Sequence, residues 1–348
     1  MQSVTSAESF TGFNFQLNEN NISNSEVYAS HLTVVIVNYN GGEMIIESLN
    51  ALRRQSFRDF SIVVVDNHSS DGSTERIAAD FPEVTLFALQ TNIGFAAGNN
   101  FALKNVPLAE WVVFLNPDAF PRSNWLACLL ESAQLNPDFD IFGSRLCSDH
   151  EGTILDGIGD TYHVSGLVWR EAHGCRAEAR YLKKKEIFSP CAAAAMYRSS
   201  ALIQVGGFDD DLFCYVEDVD LGFRLRLAEY RSLYVPDAIV HHLGSGLVGT
   251  HSDFQIYYGH RNLIWVYIKN MPGILFWALL PLHIAMNIAG ILWFATRGHG
   301  RLIIRAKWDA IKEIRKFWRK RKKVQATRRT SVWAIFRCLA WYPFKKRS

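Results

Sequence analysis

Short apolar runs rich in β-branched residues recur through the first third of the chain, each closed by a polar turn. Leu32–Tyr39 is the first and ends in Asn38-Tyr-Asn-Gly-Gly42; a helical pattern over Met44–Arg54 follows. Ser61–Asp66 is the second, with Asp71 or Ser73 placed to cap a helix through about Phe81. A weaker strand over Val84–Leu89 leads into Thr91–Asn100 and a short helix. Trp111–Leu115 then runs straight into Asn116-Pro-Asp118. This alternation of strand and helix predicts an α/β fold with a parallel sheet and right-handed crossovers. Continuous apolar strands, as opposed to alternating ones, are those buried on both faces.

Further on the pattern loosens. Trp125–Leu135 reads as an amphipathic helix and Asp140–Leu146 as a strand, while residues 149–186 are mixed and Gly-rich, the place for an insertion or acceptor-side loop. Phe188–Tyr197 is a run of small residues, predicting a buried strand or tight helix on the floor of a cleft. A loop over Gly206–Phe213 precedes a helix from Tyr215 to about Tyr230. The strand Ser232–Pro236 is followed by Ile239-Val-His-His-Leu-Gly-Ser-Gly246. No formally charged residue falls between Lys269 and Arg297, and Ile274–Thr296 is almost wholly apolar.

Charge divides the chain. Residues 297–348 hold 18 Lys/Arg against Asp309 and Glu313, a charge of +16, so the net +3 leaves −13 on residues 1–296. An acidic body with a basic tail calls for an anionic partner for the tail, lipid or nucleic acid. The six cysteines form no Cys-x-x-Cys pair, so reduced thiols are expected and disulfide frameworks and zinc ribbons are not. Residues 1–30, rich in Asn and Ser, read as a flexible arm without the features of a secretory signal.

Candidate chemistry gathers where strands end. Asn116 and Asp118 sit at the carboxyl end of a central strand, where open α/β sheets bind ligands. The bland alternative is an Asn-Pro-Asp turn that only reverses the chain. Asp66 occupies the same position on the second strand and reads either as a turn acid or as an acceptor for a nucleotide base or ribose. Glu217, Asp218 and Asp220 crowd a first helical turn, where the macrodipole favours acids whether or not they react. Arg224, four residues after Asp220, is placed to pair with it and leave Asp218 free. The His241-His242 pair is placed to ligate a metal or phosphate. Arg261 is suited to clamp a diphosphate bidentately.

Taken in order, these stretches resemble the inverting family 2 glycosyltransferases, and most of all their rhamnosyltransferase-like bacterial subgroup. The matching segments are Val34–Asn40, Val65–Gly72, Asn92–Asn99, Leu115–Asp118, Gly206–Asp209, Glu217–Arg224, His242 with Gly244-Ser245, and Tyr257–Asn262. The resemblance covers roughly residues 32–270 and implies a GT-A fold, a Rossmann-like mixed, mostly parallel sheet flanked by helices. It further implies a nucleotide-sugar donor, dTDP-rhamnose favoured over UDP- or GDP-sugars, bound through Asn40, Asp66, Gly94, Asn99, Asn116 and Arg261. Asp118 would hold Mg2+ or Mn2+ with His242, preferred to His241 for its spacing after Pro236. Asn116 replaces the first acid of the family's Asp-x-Asp motif and so contributes a neutral ligand. Asp218 would be the catalytic base, with Glu217 beside it. The expected acceptor is a polyprenyl-diphosphate-linked saccharide in cell-surface polysaccharide or lipopolysaccharide assembly. A non-catalytic nucleotide-binding scaffold is the rival reading, opposed by the retention of Asp118, Asp218 and His242.

The implied domains are the arm (1–30), a GT-A catalytic domain (31–270) and a membrane-association region (271–348). The last is expected to bind an anionic membrane surface, not nucleic acid. Ile274–Thr296 is long enough to span a bilayer, but one span would part a cytoplasmic donor site from a basic tail that also belongs on the cytoplasmic side. A re-entrant or in-plane helix pair broken at Pro281 is therefore expected, on the cytoplasmic face of the inner membrane. Ile304, Trp308, Ile311, Ile314 and Trp318 then fall on one face of a basic amphipathic helix.

Overall fold

The β-branched runs form one end of a ten-stranded mixed sheet. The computed structural model describes residues 31–107, 109–244 and 252–342. The arm at 1–30 and the stretch following Gly244 in the matching segments lie outside them. Strands β1 (Leu32–Asn38), β2 (Phe60–Asp66), β3 (Val84–Ala88) and β4 (Trp111–Leu115) are parallel in the order β4-β1-β2-β3, joined by α1 (Gly42–Arg53), α2 (Ser73–Asp80) and α3 (Gly94–Asn105). Alternate residues of one strand enter different cores. Val34 and Ile36 pack toward α1 and α4 (Trp125–Leu135), while Val35 packs toward α3 and α5 (Ser199–Val205). Burial on both faces is why these strands read as unbroken apolar runs.

Beyond β4 the sheet turns mixed. A short β5 (Ala119–Pro121) follows the Asn-Pro-Asp turn, and β6 (Ile141–Cys147), β7 (Leu155–Gly157), β8 (Asp160–Tyr162), β9 (Val168–Arg170) and β10 (Lys185–Ile187) come before and within the region expected as an insertion. The small-residue run resolves into β11 (Ala194–Arg198), a strand antiparallel to β4 and β6. Its smallness lets helix α6 (Glu217–Leu227) close in: a Cβ on Gly222 would lie 2.1 Å from that of Ser189. The strand expected to stop at Pro236 instead continues as β12 (Ser232–His242). Pro236 is tolerated because it falls where the register with β6 shifts, between Val235 and Ile239.

A third core joins α6 to the C-terminal helices α7 (Asp253–Asn270), α8 (Gly273–Ala295), α9 (Gly300–Lys312), α10 (Ile314–Ala326) and α11 (Val332–Cys338). It draws on both sides of residue 270: Trp265 stacks on Phe317 at 4.3 Å, and the Trp265 indole donates to the Ala310 carbonyl. Ion pairs reinforce it. Buried Lys269 pairs with Asp209 and, at 2.8 Å, with Asp220, while Lys320 and Lys316 of α10 reach Asp211 at 2.6 and 2.8 Å. Lys269 is thus shared between two buried carboxylates, each of which has a second cation, Lys320 for Asp209 and Arg224 for Asp220.

Helix α8 corrects the sequence expectation. It runs unbroken through Pro281 and is long and apolar enough to cross a membrane. Its middle and its C-terminal end are nevertheless fastened to α7: His283 stacks on Tyr267 at 3.9 Å, and Phe294 packs edge-on against His260 at 4.7 Å. The helix folds back along the domain it leaves. The single basic helix expected over 301–323 is two, α9 and α10, parted at Glu313.

Candidate active site

The turn after β4 is built by its backbone. Asn116 donates its N–H to the Ala193 carbonyl at 2.9 Å and accepts the Ala119 N–H at 3.2 Å. β5 then pairs antiparallel with β12 so that Ala119 faces His242. Leu243 N–H closes the ladder on the Asp118 carbonyl at 3.1 Å. Asp118 and His242 thereby become cross-strand neighbours, with His242 Nε2 3.5 Å from Asp118 Oδ1 and 3.5 Å from Asn116 Nδ2. Neighbouring residues on a strand point to opposite faces, which separates the histidine pair. His241 turns away from Asp118 and packs on Phe120 and His150.

A carboxylate the sequence did not point to stands behind His242. Asp156 Oδ2 lies 2.8 Å from His242 Nδ1, and Asp156 also receives Arg170 at 2.5 Å and His173 at 3.2 Å. Burial alone would raise the Asp156 carboxyl, but the hydrogen bonds from His173 and His242 and the Arg170 charge hold it well below the usual carboxylate range. Burial likewise pushes Asp118 up, and the hydrogen bond and charge of His242, with a backbone bond, together outweigh it. His242 responds in reverse: burial lowers it, and the two flanking acids raise it above an ordinary imidazole. With Asp156 on Nδ1, the other ring nitrogen faces Asp118. That is the arrangement by which a carboxylate orients a metal-binding imidazole.

This donor set fits a divalent ion. One carboxylate, one imidazole and one carboxamide suit Mg2+ or Mn2+, provided that further oxygens come from a ligand's phosphates or water. Among the described residues, no group of three or more His, Cys, Asp or Glu side chains is arranged to hold a metal. The side chains that would contribute to such a site are Asp118 and His242, with Asn116 beside them.

The acids of α6 divide into unlike roles. Asp220 is buried and paired with Arg224 at 2.8 Å and with Lys269; burial raises its carboxyl, and the two cations more than reverse this. Asp218 is only partly buried. Its Oδ2 accepts the Ala192 N–H at 3.2 Å, and its Oδ1 accepts that of Val219 at 2.8 Å. Glu217 is buried with Oε2 lacking a partner, and burial and then the Asp218 charge raise its carboxyl well above normal. Asp160 on β8 behaves the same way for the same causes. Of these four acids, Asp218 is the carboxylate that is both partly accessible and free of a cation partner.

The turn leading into α6 is strained. Phe213, Tyr215 and Val216 adopt φ values of 64°, 66° and 69°, and none is glycine. Such residues cost roughly 1–3 kcal/mol each and persist only where the surroundings impose them. Tyr215 lies within electrostatic reach of both Glu217 and Asp118, and its hydroxyl is pushed up to about 12, chiefly by burial.

The remaining candidates lie on the β1–β3 side, with one exception. Asp66 accepts from Asn38 at 2.8 Å and from the Ser69 hydroxyl at 2.6 Å and N–H at 2.9 Å, so it is at least a well-formed turn acid. Asn40, at φ 52°, hydrogen-bonds to Ser69 and Ser70 of that turn. Gly94, at φ 86°, opens α3 where a Cβ would lie 2.5 Å from the Phe213 ring, and Asn99 is buried, donating to the Phe95 carbonyl at 3.0 Å. Arg261 stands apart. Its guanidinium donates to the Asp211 and Leu212 carbonyls at 3.2 Å each and covers Trp265 at 4.1 Å.

Comparison with known proteins bears on the family and the fold. The model of a family described as "Glycosyl transferase family 2" matches residues 33–206. An N-acetylglucosaminyl-diphospho-decaprenol L-rhamnosyltransferase from Mycobacterium tuberculosis is 28% identical over 264 residues, covering 67% of this chain and 86% of its own. Among solved structures, a mannosyltransferase from Pyrobaculum calidifontis in complex with GDP-Man and Mn2+ superposes with a TM-score of 0.53 at 18% identity, covering 86% of each chain. GalNAc-T7 with UDP, GalNAc and Mn2+ gives 0.55 at 14% identity, over 69% of this chain and 48% of that one. At such identities the structural likeness speaks for the fold, which is GT-A-like.

Proposed function

The chain belongs to glycosyl transferase family 2, and from that premise we propose that it moves rhamnose, with inversion, from dTDP-rhamnose to a hydroxyl of a polyprenyl-diphosphate-linked saccharide. The observation that carries the reading is the Asp118–His242–Asp156 chain at the strand ends, with a partly accessible Asp218 opening the neighbouring helix. A relative that is named for a rhamnosyl transfer to a diphospho-decaprenol supports the choice of donor and acceptor.

In this reading Asp118 and His242, with Asn116, would hold Mg2+ or Mn2+, which when bound supplies a Lewis acid for the diphosphate leaving group. Asp156 keeps the Nε2 face of His242 turned toward Asp118. Asp66 and Asn40 take the base and ribose end of the donor, and Gly94 and Asn99 lie beside the nucleotide. Asp218 takes the proton of the acceptor hydroxyl as that oxygen attacks the anomeric carbon from the face opposite the diphosphate. One displacement inverts the configuration and needs no enzyme nucleophile. Glu217 stands beside Asp218, buried, its carboxyl raised by burial and then by the Asp218 charge. Arg261 bears on the reaction through the 211–212 carbonyls that it grips.

The enzyme works attached to the cytoplasmic face of the inner membrane through the surface of α8, α9 and α11. The twelve residues after His283, itself anchored on Ser165 and Tyr267, amount to about 18 Å of helix against a bilayer core of about 30 Å, and Phe294 among them packs on His260 of α7. α9 then returns to α7. In-plane attachment is supported over crossing.

Transfer assayed with dTDP-rhamnose and a panel of UDP- and GDP-sugars, on a GlcNAc-diphospho-polyprenol acceptor, tests the proposal. The expected product carries rhamnose in the inverted configuration. Transfer only from a UDP- or GDP-sugar would replace the donor, and nucleotide binding without transfer from any donor would leave a scaffold.

A further inference from the structure

We propose that Asn262 is a positioning residue for sugar transfer, fixing Asp218 through the main-chain carbonyls of the turn that precedes it. The inference rests on Asp218 being the base. Asn262 of α7 is fully buried and uncharged, and its carboxamide Nδ2 donates to three carbonyls: Leu212 at 2.8 Å, Cys214 at 3.0 Å and Tyr215 at 2.7 Å. A carboxamide has two N–H bonds, so one of them is shared. Arg261, next on the helix, grips the carbonyls of Asp211 and Leu212. Two adjacent side chains therefore satisfy four carbonyls of one turn.

That turn needs holding. Phe213, Tyr215 and Val216 all take left-handed backbone, and no glycine stands between Phe208 and Gly222 to adopt it freely. A β-branched residue such as Val216 is an outlier there, and it is the residue that caps α6, where an extended backbone is the rule. The conformation is imposed from two sides. α7 pulls on the carbonyls, and on the other flank Ala96 N–H at the start of α3 donates to the Phe213 carbonyl at 3.1 Å. Because Val216 leads directly into Glu217-Asp218, relaxing the turn rotates the first turn of α6 and moves the Asp218 carboxylate relative to Asp118. A leucine in place of Asn262 would fill similar space and hold none of these carbonyls.

The test compares Asn262→Asp, which keeps the shape but sets a carboxylate against three carbonyl oxygens, with Asn262→Ser, which keeps one donor. In the full chain, kcat for transfer should fall by about 100-fold in Asn262→Asp, the usual order for a displacement of about 1 Å. Asn262→Ser should fall in between. Donor KM should stay within about threefold, and calorimetry with the nucleoside diphosphate should still count one site per chain. Should Asn262→Asp give no folded protein, Asn262→Ser carries the same two readouts. A kcat within threefold of native, or a loss of kcat matched by a loss of nucleotide sites, overturns the proposal. Asp218→Asn is measured alongside: if it is inactive while Asn262→Asp is not, only this inference falls, whereas an active Asp218→Asn removes the base and this inference with it.

Discussion

The strand ends around Asp118 and the helical layer around α8 break opposite rules. Globular proteins partner their buried polar groups and seldom gather large apolar side chains on the surface. At the strand ends, Glu217 and Asp160 keep buried carboxyl oxygens without partners. In the helical layer Ile288, Leu292, Trp308 and Trp333 are exposed, while cations go inside. Lys269 is held by two acids, Arg321 donates to the Ile268 and Met271 carbonyls, and Lys307, on the His260 carbonyl, is pushed by burial down to about 7. Each exception is matched to a missing phase. Unsatisfied oxygens await a polar ligand, and an apolar surface awaits something as apolar as itself.

The largest effect should come from breaking the polar side. Asp218→Asn removes the proton acceptor, keeps the shape, and leaves one oxygen to accept either the Ala192 or the Val219 N–H. Turnover should fall by about 10³-fold, within the range that a positioned general base supplies, with nucleoside diphosphate affinity changed by less than about threefold. Steady-state transfer and calorimetry on one preparation check both numbers. Near-normal turnover would take Asp218 out of the base role, and the contrast between the two regions would lose its chemical half.

A smaller effect sharpens the comparison by acting one residue further back. Asp156→Asn keeps the shape behind His242 but removes the charge that fixes its Nδ1 proton and pairs Arg170. Outer carboxylates of this kind are worth about 10–100-fold in metal affinity. Mn2+ binding measured by electron paramagnetic resonance, with nucleoside diphosphate present, should weaken by at least about tenfold. Unchanged Mn2+ affinity would reduce Asp156 to a structural partner of Arg170.

What the sequence disclosed follows the same division. Strands buried on both faces, such as Val34–Val37 and Ile62–Val65, announce themselves by composition, and α4 falls on its expected bounds, Trp125–Leu135. Asn116 and Asp118 were legible because a buried strand ends beside them. Asp156 and Arg170 were not, since they belong to three-residue strands too short to show any period. The signal that existed was Asp156-Gly-Ile-Gly-Asp160, two acids around two glycines: a Cβ on Gly157 would lie 2.2 Å from Arg170 Cγ, so that glycine marks where the arginine crosses. β5 was hidden by its length and by Pro121. The strained turn at 213–216 carries no glycine to betray it, and what holds it, Asn262 and Arg261 of α7 and the Ala96 N–H of α3, lies far away in sequence. That 274–296 forms an apolar helical stretch was legible from composition, but the break expected at Pro281 is absent.

The smallest expected effect belongs to the helical layer and tests whether its apolar surface has the partner assigned to it. Leu292 of α8 and Trp308 of α9 are 62% and 58% exposed, so replacing them removes little packing from the fold. A glutamate at either position puts a charge where an apolar phase would lie and repels an anionic headgroup as well. Losing about 100 Å² of apolar contact corresponds to roughly 2.5 kcal/mol at most, and partial insertion in a headgroup region realises only part of that. Each of Leu292→Glu and Trp308→Glu should therefore weaken flotation with anionic liposomes by about tenfold. The two effects should multiply, because the substitutions lie on different helices. Deleting residues 297–348 would not be an equivalent test, because Phe317 and Ala310 belong to the core that holds α7. Transfer to a short-chain, detergent-soluble acceptor should stay within about twofold, since neither side chain approaches Asp118 or Asp218. Transfer to a long-chain acceptor in vesicles should fall with the flotation. Flotation unchanged in both variants would mean that the exposed face has another partner, and that the basic residues of the tail act mainly through the buried ties from Lys316 and Lys320 to the Asp209–Asp211 turn.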